Sequence, residues 1–287
     1  MLERIDRVQI AVADRKAASE TFARLLGAEV AREDQSSYLG AQRTVLAVGE
    51  SEIELCEPDG TGRVAQRLAE RGEGLLTAGA STNEPEALKA RLAGLGVEVE
   101  SEGNQMYLAG DPGFGVPFVI SPTQPRPRVG PVSFLYEVTN TLVSDWRLAA
   151  AWYAGLFGLD SARFSNIESD RFGYQGTLTL FGPPDRLDRI ELSQVVGPGS
   201  AMARWVAKRG DSLYMCYIET HDTAEVVSRL NEAGAAWTPR GDSQEGERDG
   251  LWIHPASLHG LLLGVSRTTL AWEWSGRPEL IVEQRSE

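Results

Sequence analysis

Apolar and polar residues alternate from Asp6 to Val12, with Val8, Ile10 and Val12 on one face and Arg7, Gln9 and Ala11 on the other. That period of two predicts a half-buried strand. Asp14, a helix-capping residue type, follows, and Phe22, Leu25 and Leu26 then recur at helical spacing until Gly27 stops the run. Short strands are predicted over 43–48 and 52–56, and a second helix over 85–95 that ends at Gly96. Turn-bounded strands over 105–109 and 116–120 close the unit. No Gly-rich loop joins a strand to a helix, which disfavours a doubly wound nucleotide-binding sheet.

The same order returns further along. Asp14 through Gly27 aligns with Asp145 through Gly158, an offset of 145 − 14 = 131. Ile53-Glu54-Leu55 recurs as Ile190-Glu191-Leu192, at 190 − 53 = 137. Arg71-Gly72-Glu73 returns as Arg209-Gly210-Asp211 and Arg91-Leu92 as Arg229-Leu230, both offset by 138. Landmarks in one order at nearly one offset mark a tandem duplication. The second copy closes on strands over 250–254 and 261–265. The expected division is a first module over 1–121, a Pro-rich linker over 122–130, a second module over 131–268 and a tail over 269–287. The linker is placed by Pro122, Pro125 and Pro127, which remove backbone donors and stiffen the chain.

Composition narrows the function. The 287 residues are 42% hydrophobic, enough for a sizeable core, and carry a formal net charge of −13. That charge opposes encounter with nucleic acid or an anionic membrane surface. Two cysteines, Cys56 and Cys216, form neither a disulfide framework nor a zinc pair. With no secretory signal or apolar span in the sequence, the expected location is cytoplasmic. The expected partner is a small molecule, with a homodimer left open.

The stretches Ile53-Glu54-Leu55-Cys56-Glu57-Pro58, Arg71-Gly72-Glu73-Gly74 and Trp252 through Leu261 resemble the vicinal oxygen chelate superfamily of glyoxalases, bleomycin-resistance proteins and dioxygenases. Within it they resemble methylmalonyl-CoA epimerase most. The resemblance covers about Ile5 to Val265. It implies an α+β fold of two tandem βαβββ-type modules, each a curved mixed sheet around a cavity with helices outside. Family members present metal ligands, commonly His, Glu or Gln, His and Glu, on the first, fourth, fifth and eighth strands. Carried over, those positions are Arg7, Glu54, Thr77 and Val119 in the first copy, and Val138, Glu191, Met215 and Gly264 in the second. A bulge within 135–143 would substitute Glu137 for Val138. Only the acids can ligate a hard or borderline metal, so neither metal nor other cofactor is expected.

Glu54 shares a strand face with Cys56, and by the resemblance that face looks into the cavity. A carboxylate there can act as a general acid or base, or pair with Arg7 where the metal's charge is missing. Glu191 is its counterpart in the second copy. Arg7 and Gln9, on one face, can also grip a substrate carboxylate or phosphate. His254 and His259 bracket a turn at the cavity rim, where His254 either contacts ligand or bonds the turn. Tyr136, Met215, Tyr217 and Trp252 are the remaining candidates for lining a wide aromatic pocket. Three functions follow. The first is a metal-independent isomerase, epimerase or lyase on a small hydrophobic or aromatic carbonyl compound, with Glu54, Glu191 and His254 as catalytic residues. The second is a non-catalytic drug-binding protein of the resistance type, and the third a metal-dependent dioxygenase.

Overall fold

The computed structural model describes residues 1–108, 112–240 and 249–282. Position 109 of the strand predicted over 105–109 and the end of the tail lie outside the described residues.

The first module contains β1 (Arg4–Ala11), α1 (Arg15–Leu26), β2 (Glu29–Ser36), β3 (Ala41–Val48), β4 (Ser51–Pro58), α2 (Arg63–Arg71), β5 (Gly74–Thr82), α3 (Pro85–Gly94), β6 (Val99–Glu102), β7 (Gln105–Leu108) and β8 (Phe118–Pro122). Its eight strands form one mixed sheet in the order β2-β3-β4-β1-β5-β8-β7-β6. The second module repeats this with β9 (Val132–Leu142), α4 (Trp146–Phe157), β10 (Ser165–Ser169), β11 (Tyr174–Leu180), β12 (Arg189–Val195), α5 (Ala201–Arg209), β13 (Ser212–Thr220), α6 (Thr223–Glu232), β14 (Trp237–Pro239), β15 (Gly250–Ile253) and β16 (Leu263–Arg267). Its order, β10-β11-β12-β9-β13-β16-β15-β14, is the same sheet again. Two tandem βαβββ-type modules of α+β class are thus what the chain forms. Residues 123–131 carry neither strand nor helix.

The capping expected from the sequence is present in both copies. The Asp14 carboxylate accepts from Ala17 N at 2.9 Å and Asp145 from Arg147 N at 2.8 Å. Gly27 and Gly158 end α1 and α4 at φ +66° and +65°, where a Cβ would be strained. The buried faces of α1 and α4, including Phe22, Leu26, Tyr153 and Phe157, pack on the apolar face of the sheets, Val8, Ile10, Leu55, Val138 and Ile190. These residues belong to one continuous core that runs through both modules. α1 packs on α6 and α3 on α4, so the joint between the modules has an approximate twofold.

β1 pairs with β4 and β9 with β12 in parallel, and this register equates positions between the modules. Arg7 stands opposite Glu52 and Gln9 opposite Glu54; Glu137 stands opposite Arg189 and Thr139 opposite Glu191. Glu137 is therefore the counterpart of Arg7. A bulge in the β9–β13 ladder separates the pairs Tyr217–Glu137 and Ile218–Leu135, and leaves Tyr136 as the extra residue. Val138, assigned to this position by simple counting, lies instead in the apolar core.

Candidate functional site

The concave face of the first sheet is filled. Glu54, with no exposed surface, accepts from four side chains: Arg7 Nη1 at 3.1 Å, Gln9 Nε2 at 2.8 Å, Arg43 Nη1 at 3.1 Å and Gln105 Nε2 at 2.7 Å. Tyr107 completes the ring, donating to Gln105 Oε1 at 2.8 Å and accepting from Gln9 Nε2 at 3.1 Å. Toward the rim, Arg126 bridges Asp6 and Glu52, Arg32 holds Glu52, and Arg43 holds Asp34. Four guanidiniums, Arg7, Arg32, Arg43 and Arg126, thus face four carboxylates, Asp6, Asp34, Glu52 and Glu54. The balance keeps Arg7 and Arg43 protonated against burial, and holds the Asp6 and Glu52 carboxyls below their ordinary range although burial alone would raise them. At the other end α2 covers the sheet, with Val64 and Leu68 on Cys56, Val119 and Tyr107. Burial pushes the Cys56 thiol up, away from nucleophilic use. Above the network lies a polar recess of about 520 Å³, lined by Arg7, Arg32, Arg43, Glu52, Gln105 and Arg126 among others.

The second sheet keeps a different centre. Arg189 and Glu137, both fully buried, pair at 2.7 Å, the ion pair of Arg7 and Glu52 with its two charges exchanged. Glu191 lies beside Glu137 and accepts from the Ser193 hydroxyl at 2.5 Å. Burial, then the Glu137 charge, pushes the Glu191 carboxyl well above its ordinary value, so it holds its proton beside the ionised pair. Arg189 Nη1 donates to Ser275 Oγ at 2.8 Å, while Nη2 is buried without a partner among the described residues. Ser275 belongs to the C-terminal segment, whose Ala271 and Trp272 pack with Tyr136, Leu178, Leu180 and Leu187 over one end of this face.

Around the centre stand Met215, Tyr174 and Tyr217. The Tyr217 hydroxyl accepts from Trp252 Nε1 at 2.8 Å, and Trp252 meets Phe172 edge to face at 5.9 Å. Tyr174, Tyr217 and Trp252 are each partly exposed, and Glu191 keeps 8% of its surface at the bottom, so this face is reached from outside. The Tyr217 ring occupies the space that a side chain at 264 would need: a Cβ on Gly264 would lie 2.0 Å from it.

Of the residues singled out from the sequence, Glu54, Arg7, Gln9 and Cys56 meet in the first module, and Glu191, Tyr136, Met215, Tyr217 and Trp252 in the second. Tyr136 lies inward, bonded to Ser266 Oγ at 3.0 Å with the Arg189 guanidinium 4.8 Å from its ring. The two histidines join neither group. His254 sits at the outer edge of the sheet, its Nε2 3.3 Å from Thr238 Oγ1. His259 reaches the first module, at 3.1 Å from Glu73 and 3.3 Å from Thr21. Sequence reasoning missed Arg43, Gln105 and Tyr107, which lie on predicted strands but reach Glu54 only through the pairing of those strands in the sheet. Arg189 carried a readable signal, since it precedes the repeated Ile-Glu-Leu.

The metal that the dioxygenase reading requires does not fit these side chains. The register places Glu137, Glu191, Met215 or Tyr217, and Gly264 at the ligand-bearing positions of the second module. One of the two acids is neutralised by Arg189 and the other is protonated, and thioether and glycine rebuild no hard or borderline site. No cluster of three or more His, Cys, Asp or Glu occurs among the described residues.

No protein-family model matches the chain, and no curated relative matches it significantly. Solved structures do. A triple-substituted 4-hydroxymandelate synthase from Streptomyces coelicolor is 15% identical with a TM-score of 0.71, over 93% of this chain and 92% of the synthase. A xylose isomerase-like TIM barrel/4-hydroxyphenylpyruvate dioxygenase fusion protein is 11% identical with a TM-score of 0.66, over 93% of this chain and 49% of the fusion. Streptomyces coelicolor methylmalonyl-CoA epimerase is 24% identical with a TM-score of 0.40, over 43% of this chain and 99% of the epimerase. The whole-chain likenesses overturn the expectation of a metal-independent isomerase, epimerase or lyase, because they run to a synthase and a dioxygenase. Among the described residues no helix is long and apolar enough to cross a membrane. In its topology, its repeat and its neighbours, the chain is a tandem two-module protein of the vicinal oxygen chelate fold.

Proposed function

We propose that the second module receives a small aromatic compound on its concave face and that the first module serves as its rigid support. The observation that carries this reading is the buried Arg189 Nη2, a donor without a partner among the described residues in an otherwise neutral centre. An unsatisfied buried donor costs about 1–3 kcal/mol, which a ligand oxygen would recover. Protonated Glu191 offers a second donor beside it. Arg189 and Glu137 cancel and Glu191 is uncharged, so the centre favours a hydroxyl or carbonyl over a second full charge. Tyr174, Met215, Tyr217 and Trp252 supply a wall suited to a flat ring.

The likeness to a hydroxymandelate synthase and a hydroxyphenylpyruvate dioxygenase fusion favours a hydroxyphenyl compound, and the reading of this chain as an enzyme rests on that likeness. Its residues bind and orient the ring and shield it from water. In a thermal-shift titration, 4-hydroxyphenylpyruvate is expected to raise Tm saturably, and Arg189→Met to abolish the rise, compared at matched distance below each variant's own Tm. No shift with millimolar 4-hydroxyphenylpyruvate or 4-hydroxymandelate would refute the reading. A parallel arm adds Fe(II) with oxygen. Stoichiometric Fe(II) binding would show that the donor set has been misread.

A further inference from the structure

The repeated Arg-Gly-acid turn has no role in the site described above, yet both copies of it converge on one groove. Arg71 ends α2 and Arg209 ends α5 at equivalent positions of the two modules, and Arg67 is the counterpart of Trp205 at 205 − 67 = 138. Together they line a groove of about 430 Å³ between the modules, with Tyr38, Trp205 and Leu213 among its apolar walls.

The acids of the two turns are spent elsewhere. Glu73 accepts from Ala13 N at 2.7 Å and faces His259, and Asp211 accepts from Val143 N at 2.6 Å and Ser144 N at 3.1 Å. Each acid ties its turn to its own module's first strand–helix junction, and the arginines are left behind. Among the described residues Arg67, Arg71 and Arg209 make no ion pair. Arg67 donates only to the carbonyls of Gly72 and Leu75, and Arg209 lies on the Trp205 ring at 4.1 Å. Glu70 is the groove's other acid, and it is engaged by Gln66 Nε2 at 2.8 Å. Burial first, then the charges of Arg209 and Arg71, draw Arg67 down to about 10. Three mutually repelling guanidiniums therefore stand in a chain of net charge −13, which has acids in excess to pair with them.

We propose that this groove binds a small organic anion, a carboxylate or phosphate carried on a flat apolar body, gripped by Arg67, Arg71 and Arg209. The planar forks match a carboxylate or phosphate, the repulsion among them is relieved by its charge, and Trp205 and Leu213 take the ring. The site is distinct from the second-module face and stands independently of the function proposed for it.

The test is calorimetric titration of the full chain with 2-naphthoate and, separately, with inorganic phosphate. One 2-naphthoate per chain is expected, with phosphate at least about tenfold weaker. Arg71→Gln and Arg209→Gln are each expected to weaken 2-naphthoate at least about tenfold while Tm holds or rises, because a repulsion is removed. Arg204→Gln, outside the groove, is expected to change neither.

Absence of saturable binding, or affinity unchanged in Arg71→Gln and Arg209→Gln, would overturn the proposal. So would a lowered Tm in both variants, which would mark the arginines as structural. Phosphate binding as tightly as 2-naphthoate would overturn the apolar half of the assignment. Binding lost in Arg189→Met but kept in Arg71→Gln would belong to the second-module face and would equally overturn it.

Discussion

Arg189→Met isolates the electrostatics of the second module's centre. The substitution keeps most of the side-chain volume and removes the cation paired with Glu137, at a position with no exposure on either partner. Two carboxyls are then left together, Glu137 without its cation beside Glu191, with the Thr139 and Ser193 hydroxyls as neutral donors at 3.2 and 2.5 Å. Breaking a buried pair by removing one partner costs about 3–5 kcal/mol. At about 2–4 °C per kcal/mol, Tm falls by roughly 10 °C. Glu137→Gln in the same chain leaves no buried charge, and part of the loss returns. A double-mutant cycle on urea unfolding reads the coupling, expected at about 1–3 kcal/mol. Additive single effects would refute this account.

Two further outcomes are expected. Gly264→Ala places a Cβ 2.0 Å from the Tyr217 ring, so it should cost about 1–3 kcal/mol, and Tyr217→Ala in the same chain should recover part of it; a neutral Gly264→Ala in thermal unfolding would mean that the ring moves freely. Glu219, buried and accepting from Thr269 N at 3.1 Å, is pushed up to about 7 chiefly by burial. Because that lies above its unfolded value, its contribution is present below the unfolded pKa and lost as pH rises through about 7. Glu219→Gln should therefore gain on the wild type between pH 5 and pH 8, and a Tm difference that stays flat over that range would contradict the assignment.

The duplication, the capped helices and the two acids on equivalent strands could all be read from the chain, because capping residues and apolar periodicity act over a few residues. Glu137 was out of reach of simple counting. β1 and β9 share the bulge and align at 137 − 7 = 130, whereas the helix caps align at 145 − 14 = 131, so the second copy has one more residue between strand and cap, and a count carried back from the cap lands one place off, on the other face of the strand. Gln105 and Tyr107 come from a strand distant in sequence and meet Glu54 across the sheet, and Arg43 reaches it from the strand paired with β4, so no local pattern announces them. The tail was legible as a segment beyond the repeat. That its Ser275 would reach Arg189 depends on a fold-back that spacing does not encode.

The joint between the modules is reciprocal. A Cβ on Gly115 would strike Asp211 O at 1.7 Å, and one on Gly260 would strike Glu73 O at 2.1 Å, so each half closes against the other's Arg-Gly-acid turn. A symmetric dimer of one short chain would make the same handshake, but every change to its gene would be written into both partners. Joining the copies end to end lifts that constraint. One half is free to carry Arg7 opposite Glu52 while the other carries Glu137 opposite Arg189, and the two faces can be spelled differently without unmaking the surface that holds them together.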